Sequence, residues 1–270
     1  MSHKPRKRFG QNFLTDEQVV SRIIHSIHPQ PHQHLIEIGP GQGVLTDFLA
    51  DSCRQLDLVE IDRDLVALLS RKYLRSPHVA IHQLDALKLD LSMLLSASDA
   101  SPPEAERLRL IGNLPYNIST PLMFHLLEQS DDIADMHFML QKEVADRICA
   151  QPGSKKYARL SVITQYLCQV SQLFDVAPES FNPQPKVWSS FVRLTPYQQP
   201  PVVVESFSLL NTVVTQAFSQ RRKTLRNTLS TLLTEDQIRA VDIDPGRRAE
   251  TLSLQEFADL TTQVSKVRVE

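Results

Sequence analysis

Glycine placement constrains this chain more than any other feature. Only seven glycines occur in 270 residues, and three of them, Gly39, Gly41 and Gly43, fall within five positions. They follow an apolar run, His34-Leu-Ile-Glu-Ile38, and precede a stretch from Val44 to Asp51 with helical spacing. A residue without Cβ turns tightly, or lies against a ligand, at the least steric cost. Strand, bare turn and helix in that order is how open α/β sheets hold an adenosine-containing cofactor at the carboxyl ends of their strands. Hydrophobic residues make up 41% and charged residues 22%. That is enough apolar material for a full core, and it excludes a disordered or disulfide-stapled chain.

The same alternation continues. Leu56–Asp62, Val79–Asp85, Leu108–Ile111 and Met136–Leu140 read as strands, with helices at Leu65–Leu74 and Glu143–Ala150. Tyr166–Val176 and Ser190–Leu194 are two further strand candidates, and Ser96–Glu106 is a polar, exposed insertion. The expected fold is α/β, a mostly parallel, Rossmann-like sheet with helices on both faces, over residues 1–197. Pro196-Tyr-Gln-Gln-Pro-Pro201 has the composition of a linker, and Ser206–Phe218, Thr224–Leu233 and Leu254–Val264 all carry helical patterns. A small all-helical domain is therefore expected over 198–270. The three cysteines, Cys53, Cys149 and Cys168, form no C-x-x-C pair. The basic Met1–Arg8 lacks the apolar segment of a secretory signal, so a reduced, cytoplasmic protein is expected, with no membrane partner.

The glycine spacing is G-x-G-x-G, whereas the dinucleotide fingerprint, which cradles a pyrophosphate, is G-x-G-x-x-G. Glu37 just before the turn would repel a pyrophosphate but can hold a cation. The ammonium or sulfonium of S-adenosylmethionine suits that position better than NAD does. Glu60, about 20 residues on at the end of the second strand, is placed to accept the ribose hydroxyls, and Asp85, ending the third, to bind the adenine amino group. Either acid alone could simply solvate a strand end. Three at successive carboxyl edges make a ligand site.

Gly112-Asn113-Leu114-Pro115-Tyr116 follows the fourth strand. An adenine amino group is a poor nucleophile because its lone pair is delocalised into the ring. The Asn113 side-chain carbonyl and the Leu114 backbone carbonyl could accept its two N–H protons and localise that lone pair. Pro115 fixes the backbone that aims the preceding carbonyl, and Tyr116 offers a stacking face for an unpaired base.

With these residues in place, the chain resembles the ribosomal RNA adenine N6,N6-dimethyltransferase family, in its bacterial small-subunit branch. The matching stretches are Arg8–Leu14, Glu37–Gly43, Asn113–Tyr116, Gln141–Arg147, Pro183–Val187 and Gln220–Asn227, spread over both expected domains. The resemblance implies a Rossmann-like domain using S-adenosylmethionine, with Asn12 and Leu14 folding over the cofactor. It implies that Gly39 approaches the cofactor with Gly41 in the same turn, that Glu60 binds the ribose and Asp85 the adenine, and that Asn113 also touches the cofactor. Phe181 would stack on the target base opposite Tyr116. The implied product is N6,N6-dimethyladenosine at two adjacent adenines in the 3′-terminal hairpin loop of 16S rRNA, formed by a monomer during small-subunit assembly. Two positions depart from the family pattern: Ala158 stands where glycine is usual and Trp188 where an acidic residue is common.

A net charge of −2, from 29 Lys and Arg against 31 Asp and Glu, excludes a globally basic nucleic-acid binder but not local patches. Lys4, Arg6, Lys7 and Arg8 form a basic tail suited to a phosphate backbone. Arg221, Arg222, Lys223 and Arg226 lie in a span without acidic residues, expected on the first turn of the helix over Thr224–Leu233, and Arg247 and Arg248 extend the patch. RNA is the expected partner; DNA is not. His25, His28, His32 and His34, broken by Pro29 and Pro31, match no zinc spacing, so no metal is assigned. Three competing readings differ in what they bind or modify: a 23S rRNA adenine methyltransferase, an NAD-dependent oxidoreductase, and a non-catalytic assembly factor.

Overall fold

A computed structural model of the chain describes residue 6 and residues 11–96 and 107–269. They form two compact units, each continuous in space but not in sequence: the described residues up to Ala145 with Ser171–Pro196, and Asp146–Val170 with the chain from Tyr197.

The first unit begins with β1 (Phe13–Leu14) and α1 (Glu17–Ile27). Asp16 caps α1, its carboxylate accepting from the amides of Gln18 and Val19, and Val20, Ile23 and Ile27 form its buried stripe. There follow β2 (His34–Ile38), α2 (Thr46–Ala50), β3 (Gln55–Glu60), α3 (Arg63–Lys72), β4 (Val79–Gln83), α4 (Leu91–Ser96), β5 (Leu108–Asn113), α5 (Ser119–Leu127) and β6 (Ile133–Gln141). α6 (Lys142–Ile148) and α7 (Arg159–Leu167) precede β7 (Cys168–Val176), β8 (Phe181–Asn182) and β9 (Ser189–Pro196).

Seven strands make one sheet in the order β4-β3-β2-β5-β6-β9-β7. The five from β4 to β6 are parallel, and β9 runs antiparallel to β6. From β2 the chain steps outward through β3 and β4, then crosses back to lay β5 on the other side of β2. That reversal opens a crevice at the carboxyl ends of β2 and β5, where doubly wound sheets bind ligands. Gly39 and Asn113 stand at its two sides.

One buried ion pair locks this frame. Arg109 on β5 donates from Nε and Nη2 to the two oxygens of Asp135 on β6, each at 2.9 Å, and from Nη2 to the Ile27 carbonyl at the end of α1, 2.7 Å away. Arg109→Leu takes the bidentate partner from a largely buried carboxylate, leaving His137 Nδ1 at 3.5 Å beside it, and is expected to cost about 3–5 kcal/mol. Urea unfolding should show that loss, and Arg109→Leu with Asp135→Leu should recover most of it. A single variant within about 1 kcal/mol of wild type, by the same general scale, would remove the pair from the frame.

The second unit carries α7, α8 (Phe207–Ala217), α9 (Leu225–Thr228), α10 (Glu235–Arg239) and α11 (Leu254–Val269). Aromatic contacts join its parts: Tyr166 stacks on Phe207 at 5.8 Å and Phe218 meets both Tyr157 and Phe257. A cut at 197/198 therefore leaves out the segment 146–170, whose helix packs with α8 and α11.

Three local expectations are corrected. Tyr166 and Leu167 end α7 instead of starting a strand, because Leu160, Val162, Ile163 and Tyr166 are buried as a helix. The helix expected over Thr224–Leu233 is one turn, Leu225–Thr228, after which Leu229 and Leu233 stay buried in turns. Of the expected polar insertion, Ser96 closes α4 and 97–106 lies outside the described residues. Ala158 sits at φ −154°, ψ −179°, extended backbone open to any residue, so its departure from glycine carries no strain.

Candidate active site

A cavity of about 490 Å³ lies in the first unit, at the crossover between β2 and β5. Five segments line it: 11–15, the turn after β2, the end of β3, residues 84–87 after β4, and 113–118 after β5. It brings together Asn12, Leu14, Glu37, Gly39, Gly41, Glu60, Asp85 and Asn113–Tyr116, residues drawn from five separate stretches of sequence.

Two glycines shape the floor. Gly39 and Gly41 hold φ +67° and +59°, the left-handed region in which a side chain is strained. A Cβ on Gly41 would also lie 3.0 Å from the Phe13 ring, so the segment 11–15 passes directly over the turn. Gly41 donates its amide to Glu60 Oε2 (3.3 Å) and Asp62 to Oε1 (2.9 Å), which orients the Glu60 carboxylate at the cavity. Burial raises the Glu60 pKa despite these bonds. Asp85 begins a short 3₁₀ turn, accepting from the Leu87 amide at 3.0 Å, and lines the far end.

Glu37 is 2% exposed, and burial pushes its carboxyl up to about 7; the Thr46 hydroxyl, donating to Oε2 at 2.6 Å, opposes that rise. Asp47 and Glu60 push in the direction of burial, and Lys72 against it.

Segment 11–15 is tied down at several points. Asn113 Nδ2 donates to the Asn12 carbonyl at 2.9 Å, and Leu14 pairs with Phe181 in a two-residue antiparallel ladder between β1 and β8. Asp62, fully buried, accepts from Gln11 Nε2 (3.1 Å) and Arg6 Nη1 (3.0 Å) while its own amide binds Glu60. The Asn113 amide is oriented by its bond to Asn12, which leaves Oδ1 as an acceptor. Leu114 is fixed by its amide donating to the Met139 carbonyl at 3.2 Å. Tyr116 shares a 2.7 Å hydrogen bond with Ser189 Oγ, and burial raises its pKa. The rim after β5 thus offers two carbonyl acceptors and an aromatic ring beside a crevice with acids suited to hydroxyls and a cation.

The sequence profile of the family described as ribosomal RNA adenine dimethylase matches residues 2–266. The chain is 51% identical over 265 residues to the ribosomal RNA small subunit methyltransferase A of Pseudomonas aeruginosa, covering 98% of this chain and 96% of that one. It is 53% identical over 259 residues to the protein of the same name from Saccharophagus degradans, covering 96% and 94%. It belongs to the ribosomal RNA adenine dimethylase family. Two crystal structures share the fold: a dimethyladenosine transferase from Plasmodium falciparum (TM-score 0.79, 23% identity, covering 94% and 98%) and the 23S rRNA methyltransferase ErmE (0.70, 24%, covering 94% and 100%).

For this family member, the structure sorts the remaining candidates. Phe181 is 3% exposed, packs in the core cluster with Leu14 and is not among the residues that line the cavity. Lys4, Lys7 and Arg8 lie outside the described residues. Arg6 is taken up by Asp62 and Asp64, and Arg247 by Glu256, with Arg247 Nη2 also donating to the Thr251 carbonyl at 2.7 Å. Neither is an uncommitted cation. Arg221, Arg222 and Lys223 lie in the turn before α9, not on its first turn. Arg221 donates to the Lys155 carbonyl and stands 3.8 Å from Glu250. Arg222, Lys223, Arg226 and Arg248 are exposed. The amides of Leu225 and Arg226 bond the carbonyls of Arg247 and Pro245, which holds Arg226 and Arg248 on neighbouring strips of backbone.

Sequence reasoning missed Gln11, Thr46, Asp62 as a tether, and Ser189. Asp62 had one signal, its place ahead of an acidic first turn as a helix cap. Among the described residues, no three His, Cys, Asp or Glu side chains cluster as a metal site, and no helix is long and apolar enough to cross a membrane.

Proposed function

We propose that this ribosomal RNA adenine dimethylase uses S-adenosylmethionine to dimethylate N6 of two adjacent adenines in the 3′-terminal hairpin loop of 16S rRNA. It would act in the cytoplasm, as a monomer, on the small subunit or its precursor. One observation carries this reading. The acceptors of Asn113 and Leu114 are fixed by backbone bonds at the crevice that holds Gly39 and Glu60.

The residues present fit the cofactor: Glu60 for the ribose hydroxyls, Asp85 for the adenine, Glu37 for the positive charge, and the bare turn at Gly39 and Gly41 for close approach. When bound, S-adenosylmethionine supplies an electrophilic methyl group. Asn113 Oδ1 and the Leu114 carbonyl accept the two N6 protons of the target adenine, which draws its lone pair out of the ring and makes the nitrogen nucleophilic. Tyr116 stacks on the base, its hydroxyl end anchored by Ser189. No side chain must act as base, because the nitrogen is cationic after transfer and releases its proton readily.

Glu37 sets the pH dependence. Its carboxyl must be ionised to hold a cation, so its contribution is present above about pH 7 and fades below. The ratio of S-adenosylmethionine Kd between Glu37→Gln and wild type should shrink about tenfold from pH 8 to pH 6, the linkage of one proton. Calorimetric titration at both pH values measures it, and a constant ratio would show that Glu37 does not hold the charge.

The exposed cations of the second unit supply the RNA grip. Replacing Arg222, Lys223, Arg226 and Arg248 by Ala should weaken binding to small subunits and lower the slope of log K against log salt by about 0.7–0.9 for each phosphate no longer neutralised. Arg247→Ala, which removes an internally paired charge, should leave the slope unchanged. Equal slopes for the fourfold variant and wild type would place the patch off the interface.

The function itself is tested in cells whose 16S rRNA lacks the dimethyladenosines. Expression of this chain should restore both, read by mass spectrometry of the 3′ fragment. Unmodified adenines beside a well-expressed protein would count against the assignment.

A further inference from the structure

We propose that Trp188 is a stacking platform for an unpaired nucleotide of the RNA that flanks the target adenine. This rests on the RNA substrate read above.

Trp188 is the only tryptophan in the chain, and 51% of its surface is exposed, with Val187 beside it at 43%. A large aromatic left half in water is a surface that gains from being covered. Its position says by what. The next residue, Ser189, is fully buried and hydrogen-bonded at 2.7 Å to the hydroxyl of Tyr116, the ring assigned to the target base. Trp188 therefore follows the rim of the base site at a distance of one residue.

The backbone there is rigid. The Lys142 amide donates to the Trp188 carbonyl at 2.9 Å, and Ser189 pairs with Gln141 across β6 and β9. A rigid aromatic loses little freedom when a base stacks on it. Charge favours the same occupant. Lys186 is exposed two residues earlier, and the carboxylates that reach this segment already have partners, Asp175 in Lys142, Gln172 and Ser190 and Glu179 in Gln184. An exposed cation close in sequence to an exposed aromatic supplies what an unpaired base and the phosphate beside it need.

The test compares methyl transfer to small subunits lacking the modification for wild type, Trp188→Phe and Trp188→Asp. Trp188→Asp should raise KM for subunits about tenfold, the scale of one base–aromatic stack. Its kcat should stay within about twofold, and its cofactor Kd and melting temperature should be those of wild type. Trp188→Phe, which keeps an aromatic face, should recover most of the loss. A KM for Trp188→Asp equal to wild type, or a Phe variant as poor as the Asp variant, overturns the proposal.

Spectroscopy gives a second readout. With 5-hydroxytryptophan at position 188, emission should be quenched on adding subunits and not on concentrating the protein alone. Unchanged emission, or quenching by protein concentration, assigns the indole elsewhere and overturns it too. If wild type transfers no methyl group to subunits, the RNA reading falls and takes this proposal with it. If wild type transfers while Trp188→Asp matches it, only the proposal falls.

Discussion

Asn113→Ala is expected to lower kcat for methyl transfer by about 10²–10³-fold, the usual loss when one fixed hydrogen-bond partner of a transition state is removed. The loss falls on the lone pair of the substrate nitrogen. With only the Leu114 carbonyl left, one N–H of the adenine amino group lacks an acceptor and the nitrogen stays conjugated with the ring. The variant also loses the bond from Nδ2 to the Asn12 carbonyl, which loosens segment 11–15, so a weaker cofactor Kd should accompany the slower turnover. Binding to small subunits should be unchanged, because that grip is assigned to the cations of the second unit. Single-turnover rates with saturating cofactor and subunits separate these effects. A rate within about tenfold of wild type would contradict the lone-pair account.

Glu60→Ala should raise the Kd for S-adenosylmethionine about 100-fold. Two hydrogen bonds from ribose hydroxyls to a charged acceptor are together worth about 3 kcal/mol, and the backbone amides of Gly41 and Asp62 show that the carboxylate is already oriented before a ligand binds. Because the grip on the subunit is assigned to the cations of the second unit and not to Glu60, the variant should still bind subunits with wild-type affinity. That separation decides between an enzyme and a pure assembly factor. Calorimetry for the cofactor and filter binding for the subunit measure the two affinities. A Kd within about threefold of wild type would remove Glu60 from the ribose site.

What could be read in the sequence was local. The run His34–Ile38, the three closely spaced glycines and the helix after them are one strand–turn–helix unit, and Glu60, Asp85 and Asn113 each lie at or just beyond the end of a strand with a clear apolar pattern. Placing those ends side by side needed only the rule that parallel strands present their carboxyl edges together, and the cavity draws on all of them.

Contacts distant in sequence were not legible. Asp62 meets Arg6 across 56 positions, and the ladder pairing Leu14 with Phe181 is only two residues long, too short for any periodicity. Those contacts change how individual residues read: Arg6 is tied to acids near the cavity, and Phe181 lies in the core. Arg247 shows the same limit at close range, since Glu256, nine residues on, becomes its partner only through the capping turn in which Glu256 and Ser253 bond each other. The one-turn α9 failed for another reason. Leu225, Leu229 and Leu232 have helical spacing, but burial of Leu225, Leu229 and Leu233 is met by a single turn of helix followed by tight turns.

One measurement reaches both the chemistry and its target. Small subunits lacking the modification are incubated with the protein and methyl-labelled S-adenosylmethionine, with large subunits, naked 16S rRNA and DNA in parallel, and the labelled nucleosides are identified. N6,N6-dimethyladenosine is expected from small subunits, approaching four methyl groups per particle, and none from large subunits or DNA. Label in large subunits, or no label in small subunits from a protein that binds the cofactor, would contradict the assignment.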